Sequence, residues 1–367
     1  MILINVRDVL ENRMSKNDLK FKSFNKELFQ YKDKIDIEIE KFFDKKIKEN
    51  SVFFSQAVDT IKVLKDQNLH GGKRLRPILV NLGYFLAGGK NKKAILQASL
   101  SVELIHNFFL IHDDIIDKDI LRRGKPSLYA FFQKKYMNLH TGISLAIIAG
   151  DVSCSLGYDV LINSSFPEKN KIKVLDVLNK MILKTCHGEM LEVSLKNRNI
   201  TEKNISDVSE YKTAYYSFFY PLKIGAVLAG ANDAFINRLE KFALLVGIAF
   251  QIRDDILGIF GSEDKIGKPV CSDIKENQPN LLIFKTLVLS NFKDKQKFKG
   301  YLGKQDIDKK DIDEIRKIVK NSGALDFCQN KAEKLVSKAK LSIKQIEPSK
   351  EKKFLLDLAE YIIKRRY

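Results

Sequence analysis

Residues 104–117 read Leu-Ile-His-Asn-Phe-Phe-Leu-Ile-His-Asp-Asp-Ile-Ile-Asp, and this stretch decides the fold. Leu104, Phe108, Ile111 and Ile115 fall at spacings of four, three and four, which lines them along one face of an α-helix. Asp113 and Asp117 stand four apart and project from one face, and Asp114 adds a third carboxylate. Like charges so placed destabilise a helix unless a cation sits among them, and hard divalent cations, above all Mg²⁺, are the natural neutralisers. A solvated acidic helix end would carry the same residues, so the triplet alone leaves both readings open.

Outward from this helix the same periodicity recurs and alternating strand patterns are hard to find. Gly and Pro together number 26 of 367 residues, too few for a turn-dense sandwich, and the chain reads as an all-α bundle of many helices. No repeat or Ser/Gly/Pro-rich linker divides it. A polar N-terminal extension over 1–31 and one domain over 32–367 are expected, with loops at 163–171, 196–201, 261–279 and 303–310.

The net charge of +18 comes largely from Lys scattered through segments such as Asp44-Lys45-Lys46-Ile47-Lys48. Scattered cations without interleaved aromatic residues speak against a nucleic-acid face, though they would steer other anions. Cys154, Cys186, Cys271 and Cys328 lie far apart with no C-x-x-C pair, which excludes a zinc site of that kind and favours a reducing, cytoplasmic setting, organellar import being left open. The N-terminus becomes charged too early for a secretory segment, and apolar runs such as 143–150 are too short to span a bilayer.

A second acidic pair follows an apolar helical stretch: Phe250-Gln251-Ile252-Arg253-Asp254-Asp255-Ile256-Leu257-Gly258. Two such rims facing one another would hold Mg²⁺ around a polyanion such as a diphosphate leaving group. Basic groups flank them at Gly72-Lys73-Arg74-Leu75-Arg76-Pro77, Arg122-Arg123-Gly124, Lys212-Thr213 and Gly267-Lys268. Pro77 suits a first helical turn, so Lys73 to Arg76 stand where helix N-terminal amides help hold an anion. Singly, each is as readily a surface cation, although planar guanidinium groups suit phosphate best.

Taken in order, G-K-R-L-R-P at 72–77, L-I-H-D-D-I-I-D at 110–117, R-R-G at 122–124, G-D at 150–151, K-T at 212–213, F-Q-I-R-D-D at 250–255 and G-K at 267–268 resemble the trans-isoprenyl diphosphate synthases, the polyprenyl synthetase family. The resemblance implies an isoprenoid synthase fold with helices around a deep central cavity, usually in a homodimer, and no partnership with nucleic acid. The implied activity is Mg²⁺-dependent head-to-tail condensation of isopentenyl diphosphate with an allylic diphosphate, using about three Mg²⁺ ions per site, with Mn²⁺ able to substitute. By the same resemblance Asp113, Asp114, Asp117, Asp254 and Asp255 are metal ligands. Arg122, Lys212 and Lys268 hold the allylic diphosphate, and Lys73, Arg76, His106 and Arg123 hold isopentenyl diphosphate. Lys212, Thr213 and Gln251 line the reacting carbons. The basic C-terminus, ending Lys364-Arg-Arg-Tyr367, is expected to fold over the cavity and retain isopentenyl diphosphate.

Three departures stand out. Gly258 replaces a common third aspartate, leaving two carboxylates there; Glu189 replaces a common glutamine; and Gln278-Pro279-Asn280 replaces a Gly/Lys-rich stretch. Phe108 and Phe109, about one turn before Asp113, read as core or as a floor beneath a growing hydrocarbon tail. Paired aromatics there are similar to farnesyl-type relatives, which makes farnesyl diphosphate the expected product and geranylgeranyl diphosphate the next. A non-catalytic regulatory subunit is the alternative, against which the intact aspartates speak. A terpene cyclase would have no use for the second diphosphate site at Lys73, Arg76 and His106.

Overall fold

The computed structural model describes residues 21–195, 200–261 and 270–365. Helices dominate: α1 (Lys22–Asn50), α2 (Ser55–Leu69), α3 (Leu75–Leu86), α4 (Lys92–Ala98), α5 (Leu100–Ile116), α6 (Leu128–Tyr136), α7 (Leu139–Ile162), α8 (Glu168–Leu195) and α9 (Glu202–Val208). A π-helix (Ser209–Phe219) then runs into α10 (Tyr220–Leu228), followed by α11 (Asp233–Phe260), α12 (Ser272–Lys275), α13 (Leu281–Leu289), α14 (Phe292–Lys299), α15 (Lys309–Asn321), α16 (Ala324–Ser342) and α17 (Lys350–Lys364). The fold is all-α. Among the described residues the only strands are β1 (Leu121–Arg122) and β2 (Lys125–Pro126), closed by Arg123 and Gly124 at positive φ as a tight two-residue hairpin requires.

The expected extension is corrected at its inner end. Helix α1 starts at Lys22 because Phe24, Leu28, Ile35, Ile39 and Phe43 form one buried stripe, and the Phe24 ring packs 4.9 Å from Phe354 and 5.2 Å from Tyr361 of α17. The stretch before Phe21 lies outside the described residues. Three expected loops also contain helix: α8 begins at Glu168, α12 occupies part of 261–279, and α15 begins at Lys309. Helix α7, whose apolar runs look short because Gly, Ser and Asp interrupt them, is long and apolar enough to cross a membrane, as is the combined 92–116 segment. Both pack within the bundle, the latter window 67% buried and that of α7 44%.

Close backbone approach fixes the centre of the bundle. A Cβ on Gly225 of α10 would lie 1.9 Å from the Val80 carbonyl oxygen, and one on Gly83 of α3 would lie 2.1 Å from that of Leu222, so these helices meet only because both positions lack side chains. Gly247 plays the same part for α11, where a Cβ would lie 2.5 Å from the Cα of Ala214 in the π-helix. The π-helix is thereby held between α8, α10 and α11, with Phe218 and Phe242 fully buried at its back.

Candidate active site

The first acidic motif ends α5. Asp113 and Asp114 occupy the last turn and Asp117 is the C-cap residue. Asp114 is fully buried, and the Arg122 Nε of the β-hairpin donates to its Oδ1 at 2.6 Å. Burial outweighs that cation and pushes the Asp114 carboxyl up to about 6, while its Oδ2 is buried without a hydrogen-bond partner. Arg122 also reaches Asp119 at 3.2 Å and Asp113 at 3.7 Å. The guanidinium expected to meet a diphosphate is thus engaged by three carboxylates.

Lys212, from the π-helix, lies among three more. Its Nζ stands 3.4 Å from Asp113 and 2.7 Å from Glu189, and it donates to Glu192. Burial alone would lower the ammonium, but Glu192, Asp113 and Glu189 together hold it well above its ordinary range. Burial also raises Glu189, to about 7, and raises Glu192, in both cases against the pull of Lys212. Glu192, three residues after Glu189 on α8 and at the acidic end of the same motif, is given no role by the sequence, and the fold brings it to Lys212.

The second motif sits on α11. Asp255 is buried, accepts from Gln251 Nε2 at 2.9 Å, and lies well above the usual carboxylate range through burial first and the nearby Asp273 second. A side chain on Gly258 would meet Asp273 Oδ2, 3.8 Å from its Cβ. Asp273 of α12, held by Asn280 at 2.8 Å, brings a further carboxylate beside this wall. That bond, with Asn280 also capping α13 through Ile283 N at 2.9 Å, is the structural use of the Gln278-Pro279-Asn280 departure.

The two motifs are joined through the π-helix. Thr213 Oγ1 donates to Gln251 Oε1 at 2.8 Å, so adjacent residues of the π-helix face the two motifs, Lys212 contacting Asp113 and Thr213 reaching Asp255 through Gln251. Long π-helices are rare and π-geometry concentrates at functional sites; here it brings Lys212, Thr213, Tyr216 and Ser217 into one region.

The remaining cations cluster beside it. The Arg76 guanidinium lies 4.1 Å over the Tyr216 ring and donates to Ser217 Oγ at 2.7 Å. His106 is hydrogen-bonded through Nδ1 to the Tyr216 hydroxyl, and burial with the Arg76 and Arg123 charges keeps its pKa well below the usual value, so it is neutral. Arg123 donates to the Gly71 carbonyl at 2.6 Å, and a Cβ on Gly72 would lie 2.9 Å from its guanidinium. Lys73 is lowered to about 8 by burial and then by Arg365. His106, Arg122 and Arg123 also line a cleft of about 250 Å³ between α2, α5 and the hairpin. Arg74, within the same basic stretch, is instead structural: it is buried at positive φ, with Asp36 at 2.7 Å and Glu103 at 2.6 Å.

Lys268 lies outside the described residues. At the C-terminus the Arg365 guanidinium is seated on Asp254 and 4.1 Å over Phe250, and its charge also reaches Lys73; residues 366–367 lie outside the described residues. Phe108 and Phe109 are half-buried with ring centroids 4.8 Å apart, Phe109 edge-on to Tyr216 at 5.0 Å and Phe108 against His112 at 4.6 Å.

Among the described residues no three acidic, His or Cys groups form a ready metal cage. The donor set nevertheless fits Mg²⁺, which takes one or two carboxylates and completes its shell with water and phosphate oxygens. The unpartnered Asp114 Oδ2 and the excess of acids over cations on the first wall are what such an ion would relieve.

The Polyprenyl synthetase family matches over residues 58–319. A geranylgeranyl diphosphate synthase of Sulfolobus acidocaldarius is 36% identical over 301 residues, covering 81% of this chain and 88% of that protein. A farnesyl diphosphate synthase of Bacillus subtilis is 36% identical over 253 residues, covering 65% and 82%. The crystal structure of a Corynebacterium glutamicum geranylgeranyl pyrophosphate synthase, complexed with isoprenyl diphosphate and magnesium, superposes with a TM-score of 0.86 at 27% identity, covering 92% of this chain and 99% of that one.

Proposed function

We propose, because the chain belongs to the polyprenyl synthetase family and is a short-chain prenyl diphosphate synthase, that it condenses isopentenyl diphosphate with an allylic diphosphate by an ionising mechanism and stops at farnesyl diphosphate. The observation that carries this reading is that adjacent Lys212 and Thr213 of the π-helix contact the two motifs, Lys212 meeting Asp113 and Thr213 reaching Asp255 through Gln251. It ties the two acidic motifs to the residues expected at the reacting carbons.

Asp113, Asp114 and Asp117 on one side and Asp254 and Asp255 on the other would hold Mg²⁺. Bound there, it would neutralise charge gathering on the leaving diphosphate. Arg122, Lys212 and Lys268 add cations to the same oxygens, and Lys73, Arg76, Arg123 and neutral His106 hold the second diphosphate. As the allylic C–O bond breaks, its electrons leave with the diphosphate and a carbocation remains. Thr213 has committed its proton to Gln251, which leaves the hydroxyl oxygen's lone pairs available to a cationic carbon, and the Gln251 amide is oriented by its bond to Asp255. The isopentenyl double bond then forms the new C–C bond, and a proton passes to the departed diphosphate. No side-chain base is required.

The contacts of Phe108 and Phe109 with His112 and Tyr216 support a closed floor and a fifteen-carbon product. The Sulfolobus relative's name favours twenty carbons as the second reading. A homodimer is supported by exposed apolar residues on α7 and α8, including Ile147, Ile148, Leu183 and Met190. Four free cysteines support a reducing, cytoplasmic setting. Incubating the purified protein with isopentenyl diphosphate, each allylic primer and Mg²⁺, then sizing the dephosphorylated products, tests the reading; a silent regulatory subunit would yield none.

A further inference from the structure

We propose that Glu189 is a positioning residue that holds the Lys212 ammonium back from the allylic diphosphate, so that this chain takes up that diphosphate as its metal complex and discriminates against the free anion. The inference rests on the function proposed above and on Lys212 being a diphosphate contact. An ammonium has three donors, and Lys212 meets three carboxylates: Asp113 at 3.4 Å, Glu189 at 2.7 Å and Glu192. It donates hydrogen bonds to Asp113 and Glu192, and the Glu189 carboxylate stands against the same ammonium as an ion pair. The group as a whole carries three carboxylates for one ammonium, and the nearby Arg122 is itself engaged by Asp113, Asp114 and Asp119.

A free diphosphate approaching this wall meets net negative charge, and the cation that would greet it is already held. A metal complex brings its own positive charge, satisfies the carboxylates and releases Lys212 to the phosphate oxygens. Glu189 is the carboxylate of the group that is not among the expected metal ligands and that meets Lys212 as an ion pair alone. Its second oxygen, Oε1, is buried without a hydrogen-bond partner, so its ionised form gains less from the protein than a fully satisfied carboxylate would.

The test is the binding of inorganic diphosphate by calorimetry at about pH 8, with EDTA and with Mg²⁺, to the wild type and to Glu189→Gln. Without metal, Glu189→Gln binds diphosphate about tenfold tighter, the order expected for one unit charge removed a few ångströms away at a partly solvated site. With Mg²⁺ the gap narrows. In steady state the KM for the allylic substrate falls in the variant by more than that for isopentenyl diphosphate. In a Lys212→Met background the gain shrinks, because part of it comes from the freed ammonium. Equal or weaker metal-free binding by Glu189→Gln, or the same gain with Lys212→Met, overturns the proposal. The amide is isosteric and its melting temperature is expected to hold; should it melt early, Glu189→Met carries the same comparison. If the wild type itself forms no prenyl product, the proposed function fails. If the wild type is active and the variant's affinity is unmoved, only the role of Glu189 fails.

Discussion

Arg365 donates from Nη2 to Asp254 Oδ1, and its carbonyl accepts from Arg253 Nε at 3.0 Å, so the exit of α17 is clasped on the second acidic motif from both sides. The carboxylate expected to hold metal is covered by a cation of the protein's own C-terminus. Arg365→Ala removes that competitor, and the Mg²⁺ concentration giving half-maximal activity is expected to fall a few-fold. A Mg²⁺ titration of initial rates reads this directly; a rise would show that Arg365 helps rather than competes.

Lys73 provides a pH-dependent cation. Burial and the Arg365 charge lower it to about 8, so it is cationic below that pH and loses its charge as pH rises through it. The kcat/KM for isopentenyl diphosphate should fall above about pH 8, since that ratio reports free-enzyme groups. Lys73→Arg should move the break out of the accessible range, which a pH profile of both proteins would establish.

Adjacent aspartates are expected to part company. Asp113 is partly exposed and shares Lys212 with two other carboxylates, so Asp113→Ala should leave the melting temperature nearly unchanged while lowering the rate on the order of 10² to 10³ or more. Asp114 is buried on Arg122, and Asp114→Ala leaves that guanidinium short of its buried partner, at a cost of about 3 kcal/mol in stability. Thermal melts alongside rates would separate the two.

The spacing of Leu104, Phe108, Ile111 and Ile115 made α5 legible because apolar periodicity is local, and the ordered motifs made most of the site legible as a set. What the sequence did not disclose depends on distant chain segments meeting. Arg74 lies one residue from Lys73, yet only the fold shows that it faces Asp36 and Glu103 rather than the site. Asp273 stands beside Gly258 only because the chain entering α12 returns to α11, where Cys271 N donates to the Gly258 carbonyl at 2.8 Å. Phe24 looked like part of a polar extension because its apolar partners, Phe354 and Tyr361, lie at the far end of the chain. No local pattern distinguishes a π-helix from an α-helix.

Product length should follow the two rings below Asp113. Replacing Phe108 and Phe109 with Ala removes the adjoining tilted rings and the edge contact of Phe109 with Tyr216, opening space provided that neighbours do not collapse into it. Products longer than those of the wild type are expected from a folded, active double variant. An unchanged distribution would assign length control elsewhere.

The central claim is that acids on α5 and α11 act together, through the π-helix, on one allylic diphosphate. The direct test is Mg²⁺-dependent consumption of isopentenyl diphosphate with geranyl diphosphate as primer, measured side by side for the wild type, Asp113→Ala and Asp254→Ala. The expected result is a fifteen-carbon prenyl diphosphate from the wild type and a large loss of rate in both folded variants. A wild type that forms no prenyl product from any allylic primer, or variants that match it at saturating Mg²⁺, would contradict the account.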